Sequence, residues 1–97
     1  MSTEMITVRE YCLQYETDQS FISALEENGL ITVTIVETEP CIHFDDLHSL
    51  DTYRSWYYDM NINVEGIDAL LHVVNKMKQL QQQVHVLRSR LRLYEDQ

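Results

Sequence analysis

The sequence predicts a mainly α fold: a small body of short helices with one β-hairpin, followed by a long C-terminal helix. Three observations carry this. Residues 64–94 contain no proline, and their apolar side chains recur at helical spacing. Residues 31–36 (ITVTIV) are β-branched and alternate in the manner of a strand. Cap and stop signals divide residues 7–30 into two further helices.

The first helix opens at Thr7. Thr7-Val8-Arg9-Glu10 is a T-x-x-E capping box, in which the Thr hydroxyl takes the Glu10 N–H. Ile6 before it and Tyr11 after it can form the hydrophobic staple. The helix is expected over 8–15, burying Val8, Tyr11 and Cys12, with Tyr15 as a further candidate on that face. Asp18 caps a second helix over 19–28, with Phe21, Ile22 and Leu25 on one face. Asn28-Gly29 ends it, because Gly takes the left-handed position after a helix, and Leu30 packs back. The strand 31–36 turns through Glu37-Thr38-Glu39-Pro40 into a return strand over Cys41–Phe44. Asp45 or Asp46 then caps a helix over 46–59 carrying Leu47, Leu50, Tyr53 or Arg54, and Tyr57 at helical spacing. Asn61-Ile62-Asn63 interrupts the chain, and Asn63 caps the last helix, expected over 64–94. The organisation is one structural domain: a body over 1–63 and a helix with a seam over 64–97.

That seam is the clearest physical signal. Leu70, Val73, Met77, Leu80, Val84, Leu87, Leu91 and Tyr94 follow one another at alternating spacings of three and four, an unbroken a/d heptad. A second stripe of Ile67, Leu71 and Val74 exists only at the N-terminal end and is expected to lie on the body. A helix of roughly 45 Å outreaches that body, so the seam predicts a coiled coil with a second copy of the chain. Two orientations are compatible with the flanking charges: a parallel pair sets Arg90 against Glu95, and an antiparallel pair sets like positions together around Gln81 and Gln83.

The charge is unevenly placed. The 97 residues carry 16 Asp+Glu against 7 Lys+Arg, a formal balance of −9. Residues 10–53 contain no Lys or Arg, and ten acids: Glu10, Glu16, Asp18, Glu26, Glu27, Glu37, Glu39, Asp45, Asp46 and Asp51. Lys76, Lys78, Arg88, Arg90 and Arg92 all fall in the last helix. The acidic stretch reads either as a solvated surface or as a docking face for a basic partner, with charge steering the encounter. It argues against nucleic acid, because each phosphate contact needs a cation.

Other classes are excluded or disfavoured. The apolar fraction of 44% is too high for an acidic disordered chain. Two cysteines are too few for a disulfide scaffold. No apolar run reaches ~18 residues, and MSTEMITVRE has no apolar signal region, so a cytoplasmic location without membrane association is expected. Cys41, His43 and His48 match no common zinc spacing. No metal, no cofactor and no catalytic constellation is expected; the chain reads as a binding module rather than an enzyme. Tyr53, Trp56, Tyr57 and Tyr58 are read first as packing, with exposed rings as partner anchors.

Helix–turn–helix, short wing, two more helices and a dimerising helix together resemble the MerR superfamily. The residues carrying the resemblance are Val8–Cys12 and Ser20–Ile31, the latter closing in Gly29-Leu30-Ile31. A branch of it, the CbpM chaperone-modulator family, is similar in more detail: Glu10-Tyr11-Cys12-Leu13, Glu26–Leu30, Phe44-Asp45-Asp46, Asn63-Val64-Glu65-Gly66-Ile67 and Leu87–Leu91. The resemblance covers about residues 6–94. It implies a MerR-like winged helix–turn–helix fold and a modulator that binds the J-domain of a DnaJ-like cochaperone (CbpA), limiting its action with the Hsp70 DnaK. Glu26, Glu27, Asp45, Asp46 and Asp51 are the expected partner contacts. The alternative is a dimeric DNA-binding transcription regulator of the same superfamily. The sequence departs from such readers at the second helix, Gln19–Asn28, which has no cation, and at a wing turn carrying Glu37 and Glu39.

Overall fold

The computed structural model describes residues 4–95; the outermost residues of the expected body and helix segments, 1–3 and 96–97, lie outside it. Its element order is β1 (Met5–Thr7), α1 (Val8–Gln14), α2 (Gln19–Glu27), β2 (Val33–Val36), β3 (Glu39–His43), a 3-10 turn (Phe44–Asp46), α3 (Leu47–Arg54), a π-helical turn (Ser55–Asp59) and α4 (Val64–Glu95). The fold is mainly α, with a winged helix–turn–helix body and a long C-terminal helix.

The Thr7 hydroxyl accepts from the Glu10 N–H at 3.0 Å, so α1 starts where the capping box places it. Both α1 and α2 end at a left-handed residue whose successor's N–H bonds back five residues into the helix. After α2 this residue is Gly29 (φ +72°), with Leu30 N–H to Leu25 C=O and Gly29 N–H to Glu26 C=O. After α1 it is Glu16 (φ +50°), with Thr17 N–H to Cys12 C=O. A side chain in that region costs roughly 1–2 kcal/mol, so the tight α1–α2 turn is strained where the α2 exit is not. Asp18 stands at the cap position of α2 without a side-chain cap bond, a correction to the expectation. Its backbone N–H instead donates to the Tyr58 hydroxyl at 3.1 Å.

The sheet is antiparallel in the order β1-β3-β2, with Ile42 paired to Ile6 on one side and Val33 on the other. The sequence reading had no β1; three residues are too few to show alternation. The hairpin turn is also tighter than expected. Only Glu37 (φ +50°) and Thr38 (φ +69°) form it, and Glu39 and Pro40 belong to β3. Pro40 is tolerated in this central strand because β1 stops opposite Cys41, so no acceptor waits for the missing N–H.

The 46–59 helix is resolved into three pieces. Asp46 sits in helical backbone and neither Asp45 nor Asp46 caps through its side chain, because the 3-10 turn starts the helix earlier, after His43. Beyond Arg54 the helix widens, with Met60 N–H bonded to Ser55 C=O at 3.2 Å. The widened turn sets Tyr57 and Tyr58 both against Phe21, at ring distances of 4.4 and 5.7 Å. Asn63 then caps α4, its Oδ1 accepting from Gly66 N–H at 2.8 Å. A Cβ on Gly66 would stand 2.8 Å from Ile62 Cγ2 and 3.0 Å from that Oδ1, so glycine is required for this close approach.

Every layer contributes to one core. Its fully buried side chains are Tyr11, Ile22, Leu25, Ile42, Leu50 and Ile67. As the stripe predicts, Ile67 is buried, Leu71 packs on the core and Val74 is half-buried. α4 then continues alone; its 32 residues span about 48 Å.

The Tyr11 hydroxyl is the anomaly of this core, buried with no hydrogen-bond partner. Burial pushes its ionisation up to about 12, against the pull of Arg54. The unfolded chain loses that proton near the ordinary tyrosine value of 10, so stability falls as pH rises from there toward 12. Tyr53, also raised by burial, adds in the same direction. Tyr11→Phe is expected to stabilise the protein by about 1 kcal/mol at neutral pH, since it removes an unpaired buried hydroxyl. It should also flatten the alkaline fall in Tm; a mutant less stable than the parent in thermal melts would show that the hydroxyl has a partner.

Candidate functional site

Two surfaces differ in kind: an acidic head and an uncovered helix seam. The head is built by α2 and the wing. α2 buries Phe21, Ile22 and Leu25 and leaves Gln19, Ser20, Ser23, Glu26 and Glu27 exposed. The wing leans beside the start of α2, so Arg9, Gln19, Thr38 and Glu39 line one shallow cleft of about 260 Å³. Arg9 is the single cation on this face, and its guanidinium already bonds Glu39 at 3.1 Å. Phosphate would therefore meet carboxylates where a DNA reader presents Lys and Arg.

Glu26 and Glu27 stand in the last turn of α2, where no basic residue accompanies them. The negative end of the helix dipole disfavours acids there by about 0.3–1 kcal/mol each. Asp45 and Asp46 lie in the 3-10 turn after β3, and Asp51 on α3. The five expected contacts thus sit on three separate elements. Asp51 lines a cleft of about 350 Å³, completed by Tyr15, Glu16, Arg54, Ser55, Tyr58 and Asp59; the other four expected acids do not line it. Within it Arg54 bonds Asp51 at 2.9 Å and lies 4.7 Å from the Tyr15 ring centre. Sequence reasoning passed over Glu16 and Asp59 as contacts, because only the folded chain brings positions 16, 51 and 59 together.

Seven of the eight seam residues, Val73, Met77, Leu80, Val84, Leu87, Leu91 and Tyr94, are exposed, and Leu70 is half-buried beside the body. Leu87 is 62% and Tyr94 78% accessible. Val86 and Leu93 add further exposed apolar area off the seam. An uncovered stripe of this length is unusual on a lone soluble chain.

The remaining polar groups have structural surroundings. His43 Nε2 lies 3.3 Å from the Thr34 hydroxyl across the sheet. Cys12 and Cys41 are buried free thiols. Burial, with Asp18 nearby, pushes the Cys12 thiol up, opposite to an activated cysteine. His72 and His85 are exposed on α4. Of the aromatic cluster, Tyr53 is buried, Trp56 and Tyr57 half-buried and Tyr58 exposed along one edge. No described helix is long and apolar enough to cross a membrane.

If Glu26 and Glu27 oppose the helix dipole, Glu26→Gln and Glu27→Gln should each raise stability by about 0.3–1 kcal/mol at low ionic strength, an effect that salt suppresses. Chemical denaturation at two salt concentrations measures it; a loss of stability in both variants would contradict the dipole account.

Residues 6–89 match the family model described as MerR HTH family regulatory protein. No curated protein and no solved structure matches the chain significantly.

Proposed function

We propose that this chain, which belongs to the MerR HTH family of regulatory proteins, regulates by binding a basic protein surface rather than DNA, and acts as a dimer without enzymatic activity. The observation that carries this reading is the placement of charge. A helix–turn–helix and wing that would approach phosphates carry carboxylates instead, and Arg9 on that face is neutralised by Glu39. The resemblance to CbpM-type chaperone modulators supports one partner in particular: the J-domain of a DnaJ-like (CbpA-type) cochaperone. Such a domain presents a basic helix to the Hsp70 DnaK, and an acidic competitor for that helix limits the cochaperone's action. Electrostatic matching of this kind raises association rates and weakens with salt.

The exposed seam supports the dimer. A second copy pairing through Leu80, Val84, Leu87 and Leu91 covers side chains that one chain leaves in water, at ~25 cal/mol per Å² of apolar area removed. Cytoplasmic residence follows from the proposed partner.

The decisive comparison is titration of the protein against an isolated J-domain and against duplex DNA. Salt-sensitive J-domain binding that Glu26→Lys with Glu27→Lys weakens about tenfold is the expected result. Tight DNA binding in moderate salt without J-domain association would overturn the proposal in favour of a transcription regulator. For the dimer, Leu80→Lys with Leu87→Lys is expected to give monomers in sedimentation; a variant that stays dimeric rejects the seam.

A further inference from the structure

The cleft between the α1–α2 turn, α3 and the π-helical turn already holds one cation. Arg54 Nη2 lies 2.9 Å from Asp51 Oδ1 on one side, and its guanidinium carbon 4.7 Å from the Tyr15 ring centre on the other. Carboxylate on one flank and tyrosine face on the other is a favourable cradle for a guanidinium or ammonium. The cleft has more of both than Arg54 uses. Glu16 and Asp59 line it, are exposed, and make no ion pair among the described residues. Tyr58 lines it too, its ring fixed by Phe21 at 5.7 Å and its hydroxyl held by the Asp18 N–H.

A second observation lies behind the cleft wall. The Tyr11 hydroxyl and Arg54 Nε are both buried without partners, although Arg54 stands 5.9 Å from the Tyr11 ring centre. Tyr11 is 1% accessible, and its hydroxyl feels the charges of Arg54 and Asp51, both cleft residues. Buried polar atoms left unpaired in this way are rare. A cation that shares Asp51 would loosen the Arg54–Asp51 pair and let the guanidinium shift toward the Tyr11 side chain it already lies near.

We propose that this cleft receives a Lys or Arg side chain of the basic partner, bound by Glu16 and Asp59 against the Tyr58 ring, with Asp51 shared between it and Arg54. The assignment rests on the reading of the partner as a basic protein surface. It moves the contact from the exposed acids of α2 to a formed cleft, in which only Asp51 was expected from sequence.

The test is an NMR titration of the full isotope-labelled chain with two probes: the isolated J-domain and a synthetic Lys-rich amphipathic peptide. The expected result is that both shift the backbone amides of Glu16, Tyr58 and Asp59. Glu16→Gln with Asp59→Asn should weaken both affinities about tenfold while leaving the rest of the spectrum in place; Glu26→Gln with Glu27→Gln should weaken them less. If the peptide shifts these amides and the J-domain does not bind, the partner reading fails and the cleft stands. If the J-domain binds with the same affinity to the Glu16→Gln, Asp59→Asn variant, the cleft assignment is overturned and the partner reading stands. If neither probe moves the cleft amides, the cleft assignment is overturned as well.

Discussion

The docking of the first turns of α4 on the core is the constraint from which the rest of the molecule takes its geometry. Ile67 is fully buried, Val64 nearly so, and the Asn63 side chain caps the helix onto the Gly66 N–H. Gly66 lets Ile62 approach closer than any side chain would permit. These few contacts orient a helix of about 48 Å, most of which packs on no other described element. Rotation of a few degrees about this joint would carry the seam residues near Leu91 through several ångströms. In the proposed dimer, the precision of the joint would therefore decide where a second copy meets the first.

The same economy appears in the charges. The body has two Lys/Arg side chains, Arg9 and Arg54, and each is held by a carboxylate, Glu39 and Asp51 respectively. What the body shows to solvent is thus almost wholly acidic, while five cations are deferred to α4. Self-repulsion within so small a body opposes folding, and the acids of α2 oppose its dipole as well. A surface kept against these local penalties is what the proposed basic partner would explain, together with the missing cations of the helix–turn–helix scaffold.

Much of this was legible in the sequence, because local rules and the global fold agree over most of the chain. The Thr7 and Asn63 caps, the Gly29 stop and the Ile67, Leu71, Val74 stripe read correctly from spacing, and the ITVTIV strand did over Val33–Val36, Ile31 and Thr32 lying before it. What escaped has a physical reason in each case. β1 is three residues long and exists only because β3 passes beside it. The Glu37-Thr38 turn uses left-handed residues that usually signal through Asn or Gly. Asp18, Asp45 and Asp46 looked like caps by type, yet their side chains leave the backbone unbonded. The π-helical turn answers to Phe21, far away in sequence. The cleft was invisible for the same reason: Glu16, Asp51 and Asp59 share it only after α1 has folded against α3.

The long cation-free stretch has one more consequence, for how the chain comes apart. Trypsin cuts after Lys and Arg, so between Arg9 and Arg54 it finds no bond to cleave. That interval holds α1 from Glu10 onward, α2, β2, β3 and all of α3 up to its last residue. Lys76, Lys78, Arg88, Arg90 and Arg92, by contrast, stand exposed along α4. Digestion would strip the projecting helix stepwise and leave the core's central piece as one fragment. The protease would thus separate the two surfaces that folding joins, and a bound second copy would show itself as protection of the helix alone.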